Sequence, residues 1–505
     1  MRAAAQIAME YRQEFISPRS NSAASFFVRL GEAGVRFGIF KSSRNTQMAL
    51  GGEQDLDILV AREDYQQFCA IASECGGIRS VNHPSLASPG REDWFIPDFE
   101  RARYLHLDVH TSVRLGGKFN KRYPCFAYGD IGDWGAVTLG SCSIPIASPM
   151  DEAAVTLSRI AFRAKGKVSG SWQKLTGDWA REIDELLFAP VEAGETSVCH
   201  EHGDLTFRCR VKKQDGEVWV HREDLASIRR AVKASCGAPI YSAISDPIRN
   251  TFRTWRYAAA RFVNRMVAGL VVDRRRPACG GLIVAVIAPD GMGKTTQVER
   301  ISKLLGWKFC CARLYLGTGD GQGWQLRRLL RRLYLRRRSK FSAVRLNGLD
   351  AEGRSGLKSR AASVLYATWG LLVAFERHVR VQAARRMADR GFIVVCDRWP
   401  QSIEPGFMDG PTRPHRHSPN LLRRWELSLY DRMSRVRPDI TIHLMGDYEV
   451  SQARKPGELT REEFDKRIAL MTEMQARAPG THVIDATQDI DEVSKTIFGV
   501  IWKML

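Results

Sequence analysis

The most constraining feature of the chain lies just past its middle. Leu282-Ile-Val-Ala-Val-Ile-Ala288 is an unbroken apolar run that passes directly into Pro289-Asp-Gly-Met-Gly-Lys-Thr-Thr296. Such a run reads as a strand buried on both faces of a parallel sheet. Residues 288–295 match the phosphate-binding loop pattern Gly-x-x-x-x-Gly-Lys-Ser/Thr, except that Ala288 stands in the first glycine's place. Gly291 and Gly293 let backbone amides approach phosphate oxygens. Lys294 is placed to reach β and γ oxygens, and Thr295 to ligate Mg²⁺. A helix after the loop adds the positive end of its dipole.

From there to the end, helical segments alternate with short apolar runs. Strands are expected near Arg313 to Leu316, Phe392 to Cys396, Ile440 to Leu444 and His482 to Ile484. That alternation predicts a doubly wound α/β domain with a parallel sheet over residues 281–505.

The motifs are narrower than a general phosphate loop. Asp290-Gly-Met-Gly-Lys-Thr-Thr-Gln297 resembles the Asp-Gly-x-Gly-Lys-Thr-Thr-Gln of thymidylate kinases. Phe392-Ile-Val-Val-Cys-Asp-Arg-Trp-Pro-Gln-Ser402 resembles that family's strand ending in Asp-Arg-Tyr-x-x-Ser. Ala374-Phe-Glu-Arg-His378 and Ala384 to Gly391 resemble the helix before it. Pro438 to Leu444 and Arg454-Lys-Pro-Gly-Glu458 look like the next strand and the start of a basic lid. The resemblance implies transfer of a γ-phosphoryl group from Mg-ATP to a small phosphoacceptor, by positioning and charge neutralisation. It implies donor binding by Asp290, Gly291, Met292, Gly293, Lys294, Thr295 and Thr296. Lys294, Asp397, Arg398 and Arg454 become the catalytic candidates, with Thr295 and Asp397 on the metal. Lys455 and Arg461 join Arg454 in the lid.

The acceptor half departs from the family. Its Arg-Glu-Pro-Gly stretch is replaced by Tyr315-Leu-Gly-Thr-Gly-Asp-Gly321. Its Ala-Tyr-Gln-Gly gives way to Pro405-Gly-Phe-Met-Asp-Gly-Pro411. A different acceptor from dTMP is therefore expected.

The N-terminal region, 1–245, reads as α+β. Arg36-Phe-Gly-Ile-Phe40, Asp55-Leu-Asp-Ile-Leu-Val60 and Tyr104-Leu-His-Leu-Asp-Val-His110 are expected strands, with a helix over Glu63 to Glu74. Residues 150–190 read as helical, and a strand and a helix come next at Glu217 to His221 and Asp224 to Lys233. Asp55 and Asp57 share a strand face, because the side-chain period is two. With Ser42 or Ser43 before them and Asp108 after, the order resembles the nucleotidyltransferase superfamily of DNA polymerase β. That resemblance implies that Asp55, Asp57 and Asp108 hold divalent metal.

Residues 246–280 read as a basic linker helix. At about 150 residues per domain, 505 residues suggest roughly three units. The net charge of +20 favours polyanionic partners. Residues 327–340 hold eight Lys or Arg around a leucine stripe, a pattern suited to an anionic membrane or nucleic acid. Eleven cysteines without a Cys-x-x-Cys favour reduced thiols and a cytoplasmic setting. Cys199, His200, His202 and Cys209 match no standard zinc spacing. Two other classes of function compete with the kinase: an ATP-binding regulator without turnover, and a nucleotidyltransferase with a nucleotide-sensing loop domain.

Overall fold

The structure is a computed structural model. It describes residues 23–41, 46–116, 121–139, 142–163, 168–189, 191–202, 205–235, 245–266, 271–317, 357–413, 420–478 and 480–505. Ser42, Ser43 and the basic segment 327–340 lie outside the described residues. The chain divides into two compact units rather than three. One is Pro18–Met266 with Asp273–Ala278, and the other is built on Cys279–Leu505.

In the first unit, α1 (Ala23–Glu32), β1 (Phe37–Lys41), α2 (Thr46–Leu50), β2 (Asp55–Val60), α3 (Tyr65–Glu74), β3 (Ile78–Val81), β4 (Arg91–Asp98) and β5 (Arg103–His110) come first. The hairpin of β6 (Val113–Gly116) and β7 (Lys121–Phe126) is next, then β8 (Trp134–Leu139), β9 (Cys142–Ala147) and α4 (Pro149–Arg163). After these come β10 (Val168–Ser169), β11 (Trp172–Lys174), α5 (Asp178–Leu187), β12 (Gly194–His202), β13 (Leu205–Gln214), β14 (Glu217–His221), α6 (Arg222–Ser235), α7 (Ser245–Met266) and β15 (Arg276–Pro277).

An eight-stranded mixed sheet runs β15-β3-β4-β5-β2-β1-β9-β8. Phe26, Phe27 and Leu30 of α1 and Phe68 of α3 pack against Ile39, Ile58 and Leu107 from its strands. The alternation of Asp55-Leu-Asp-Ile is what allows one face to be dry while Asp55 and Asp57 stay on the other. A second, antiparallel sheet, β10-β11-β14-β13-β12, has α4 and α6 over its apolar residues. The residues expected to be helical throughout 150–190 are interrupted by β10 and β11, because β11 pairs with the distant β14. The segment expected as a linker is divided: up to Met266 and over Asp273–Ala278 it falls in this unit, where Arg276 and Pro277 form an edge strand against β3, and Val267–Val272 falls in the other.

Cys199 is exposed, whereas His200 and Cys209 are buried. Alternation along β12 sends Cys199 and His200 to opposite faces, so these residues do not converge as zinc ligands would. Cys125 is disulfide-bonded, in contrast to the expectation of wholly reduced thiols. No helix among the described residues is long and apolar enough to cross a membrane.

The second unit contains β16 (Leu282–Ile287), α8 (Lys294–Gly306), β17 (Cys311–Tyr315), α9 (Leu357–Asp389), β18 (Ile393–Asp397), α10 (Asn420–Ser434), β19 (Ile440–Met445), α11 (Tyr448–Arg454), α12 (Arg461–Arg477), β20 (Thr481–Asp485) and α13 (Ile490–Trp502). Its five strands are parallel in the order β17-β18-β16-β19-β20. Every residue of β16 and β18 is buried, as the unbroken apolar runs require. The first strand is central: the chain moves to one side for β17 and β18, then to the other for β19 and β20. The crossovers therefore part at the carboxyl end of β16, which opens a crevice where ligands of such sheets bind. The glycine-rich loop sits at that end.

Candidate active site

Gly293 caps α8 in the left-handed region at φ +72°. Gly291 is at φ +88°, and a Cβ there would stand 2.7 Å from Ser451 Oγ and 2.8 Å from its carbonyl. Ser451 Oγ in turn donates to the Asp290 carbonyl at 2.9 Å. Only glycine meets both demands, backbone angle and space. Met292 is buried, and Thr295 and Thr296 are exposed on the first turn of α8.

Lys294 is 6% exposed, its Nζ 3.4 Å from the Ala288 carbonyl and 3.9 Å from Asp290 Oδ1. Burial, with Arg398 nearby, lowers its pKa from the usual lysine value. Thr295 Oγ1 donates to Asp397 Oδ2 at 3.0 Å. Asp397 ends β18 and is fully buried, and its Oδ1 has no hydrogen-bond partner among the described residues. An orphaned carboxylate oxygen beside a threonine hydroxyl is an oxygen-only donor set that fits Mg²⁺.

Arg398, the next residue, has φ +75°, a conformation that costs a non-glycine residue about 1–3 kcal/mol. Its amide donates to the Val286 carbonyl at 3.0 Å, which ties the strained residue to β16. Its guanidinium reaches Asp290 Oδ1 at 2.9 Å and Asp409 Oδ2 at 3.3 Å. Arg467 of α12 donates to Asp290 Oδ2 at 2.6 Å. Burial alone would raise the Asp290 pKa, but Arg398, Lys294 and Arg467 bring it below the usual carboxylate value. Two guanidiniums thus converge on one loop carboxylate at the mouth of the site.

Beyond β18, buried Arg377 of α9 donates to the Leu316 carbonyl at 2.9 Å, to Tyr430 at 2.6 Å and to Asp409 Oδ1 at 2.5 Å. Gln401 donates to the carbonyls of Glu404 and Phe407 and accepts from the amides of Ile403 and Glu404. The loop over 401–411 is therefore bonded to itself and to α9.

Of the lid candidates, Arg454 donates to the Ala486 carbonyl at 3.0 Å, with Nη1 3.9 Å from where a Gly293 Cβ would stand. Lys455 pairs with Glu458, and Arg461 with Glu449, on exposed surface. No motif in the linear sequence singles out Arg467. It lies three residues after Phe464 and four before Met471, both buried, so helical periodicity is the signal that places it on the inward face of α12.

The first unit has its own polar cavity, of about 260 Å³. Asp57 and Asp108 are register partners on the parallel strands β2 and β5. His110 Nε2 is 3.0 Å from Asp108 Oδ1 and 4.0 Å from Asp57 Oδ1. One ligand atom from each of these three lies within 4.8 Å of the others. Lys41 Nζ stands 3.4 Å from Asp57 Oδ2, and Arg91 Nε 2.5 Å from Asp108 Oδ1. Burial would raise the Asp108 pKa, but Arg91 and His110 hold it well below the usual range. Asp55 lines the same cavity but pairs with His106 Nδ1 at 2.8 Å, and His106 Nε2 lies 2.6 Å from Asp93. The third place beside Asp57 and Asp108 is taken by His110, a residue the Asp-x-Asp pattern did not indicate.

Arg114, Lys121, Arg159 and Arg163 line the same cavity and make it strongly cationic. Burial and the charges of Arg91 and Arg159 lower the Lys121 pKa to about 7. Burial and Arg159 lower Arg163 to about 10.

The parallel sheet with its loop at the switch point defines the class of the second unit: a P-loop α/β fold. No protein-family model matches the chain. Two proteins of Escherichia coli (strain K12) are similar to it. One, named uncharacterized ATP-binding protein YghR, is 29% identical over 223 residues, 41% of this chain and 85% of the relative. The other, uncharacterized ATP-binding protein YghS, is 28% identical over 206 residues, 39% of this chain and 79% of the relative. Among solved structures, a thymidylate kinase from Ehrlichia chaffeensis shows 18% identity and a TM-score of 0.25, covering 44% of this chain and 98% of its own. A thymidylate kinase from Candida albicans shows 15% and 0.26, covering 45% and 92%.

Proposed function

We propose that the second unit is an ATP-dependent kinase that transfers a γ-phosphoryl group to a nucleotide or related small phosphoacceptor. The observation that carries this reading is the joining of Thr295 to Asp397 beside buried Lys294, with Asp397 Oδ1 unpartnered among the described residues. Amides of the loop and α8 would bind the donor phosphates, and Lys294 would neutralise their charge. Thr295 and Asp397 would hold Mg²⁺, which supplies charge neutralisation between phosphates when bound. Arg398 and Arg467 would exchange Asp290 for an incoming phosphate, since both guanidiniums already point into the mouth. The names of the two Escherichia coli relatives support ATP as the donor.

The test is a screen of purified protein with labelled ATP against nucleoside monophosphates, nucleosides and phosphorylated sugars, with Lys294→Ala as the control. Turnover that survives Lys294→Ala refutes the reading; ATP bound without turnover on any acceptor favours a regulator. dTMP is expected to be a poor acceptor, because a site lacking its polar partners loses about a thousandfold or more.

A second reading concerns the first unit, and the grouping of Asp57, Asp108 and His110 in a cavity also lined by Arg114, Lys121, Arg159 and Arg163 favours it. The cavity would hold a divalent cation and a phosphorylated ligand, as a nucleotidyltransferase does. Metal-dependent release of pyrophosphate from a nucleoside triphosphate by Lys294→Ala protein is the corresponding assay.

A further inference from the structure

We propose that α7 docks the protein on an anionic lipid bilayer surface. The proposal stands apart from the kinase reading and does not rest on it. The helix carries Arg249, Arg253, Arg256, Arg261 and Arg265, with Asp246 as its one acidic residue. At about 100° per residue, Arg253, Tyr257, Ala260 and Asn264 share one side. That side is attached: Ala260 is buried, the Tyr257 ring packs 5.5 Å from His83, and Asn264 donates to Asp273 at 2.9 Å.

Ile248, Phe252, Trp255, Phe262 and Met266 fall on the roughly opposite side, at spacings of three, four or seven residues. They are between 58% and 70% exposed. Five large apolar residues in line on one helix differ from the scattered exposed leucines of an ordinary surface. Arg249 and Arg256 border the stripe on one flank, and Arg261 and Arg265 on the other.

Charge complementarity selects the occupant. A second copy seated on the stripe would bring four flanking arginines against four more, which opposes pairing. A nucleic acid wants cations at the centre of its footprint, and here the centre is apolar. A bilayer interface accepts both parts: aromatic and aliphatic side chains enter the acyl boundary while guanidiniums meet anionic headgroups.

The experiment is flotation of the full chain with vesicles of phosphatidylcholine alone, or with about 30% phosphatidylglycerol, at about 0.1 M salt. Binding is expected only with the anionic vesicles. The double substitution Trp255→Ser with Phe262→Ser should weaken it about tenfold or more, and Arg256→Glu with Arg265→Glu by a similar factor. These residues are exposed, so an unchanged melting temperature should verify that each variant folds. Three results would overturn the proposal. They are no flotation of the parent, flotation that both variants retain, and a dimer by light scattering that the Trp255→Ser, Phe262→Ser variant dissolves.

Discussion

Thr295 and Asp397, 102 residues apart in sequence, are joined by a 3.0 Å hydrogen bond from Oγ1 to Oδ2. One lies in the first turn of α8 and the other ends β18, which is the parallel neighbour of β16. The bond leaves the second Asp397 oxygen buried and without a hydrogen-bond partner among the described residues.

Asp397→Asn should therefore separate chemistry from binding. Turnover should fall about a hundredfold or more, as with loss of a single stabilising group at a reacting centre. ATP affinity measured by calorimetry in EDTA should change by no more than a few fold, because the proposed reading assigns the donor to the loop amides and Lys294. An unchanged rate would return Asp397 to a purely structural role.

Gly291→Ala should be more damaging than its size suggests. The new Cβ would meet Ser451 within 3 Å in a backbone conformation at φ +88°. A stability loss of about 1–3 kcal/mol is expected, together with loss of nucleotide binding. Thermal melts and a fluorescent ATP analogue read the two effects. Ser451→Gly should restore little, because the Ser451 carbonyl also lies within 3 Å.

In the first unit, Mn²⁺ should raise the melting temperature of the whole protein. At ten times Kd the gain is about 1.4 kcal/mol, or roughly 3–6 °C for a unit of this size. Asp57→Asn should abolish the shift. Asp55→Asn should retain most of it, since Asp55 is engaged with His106. Equal loss from both would mean that Asp55 is a ligand after all.

Lys121 should make anion binding in that cavity pH-dependent. Its folded pKa of about 7 lies below the ordinary 10.5, so the protonated form weakens the fold. That cost is complete below about pH 7 and vanishes above 10.5, so this group makes stability rise with pH across the window. An anion reverses the preference by favouring the charged lysine. Affinity for inorganic triphosphate should fall as pH rises above 7, with proton uptake on binding. Calorimetry in two buffers of different ionisation enthalpy measures that uptake, and Lys121→Met should remove it.

Much of the molecule is legible in the linear chain, wherever a signal is local. An apolar run passing into Gly-Met-Gly-Lys-Thr specifies strand, loop and helix within about fifteen residues, because backbone angles and burial are decided there. Asp55-Leu-Asp-Ile likewise predicts its strand and shows which face its carboxylates share. Arg467 is not among the residues that the linear chain singles out, and its spacing from Phe464 and Met471 becomes informative only once their burial on α12 is known.

Tertiary structure alone decided the partners. Strand register sets His110, rather than Asp55, close to Asp57 and Asp108, and places His106 between Asp55 and Asp93. The β11–β14 pairing converted part of an expected helical stretch into sheet. The convergence of Arg398 and Arg467 on Asp290 joins residues 108 and 177 positions away from it. Such contacts depend on strand order and helix crossing, which are set by burying apolar surface and pairing polar groups over the whole unit. No local stretch of sequence carries that information.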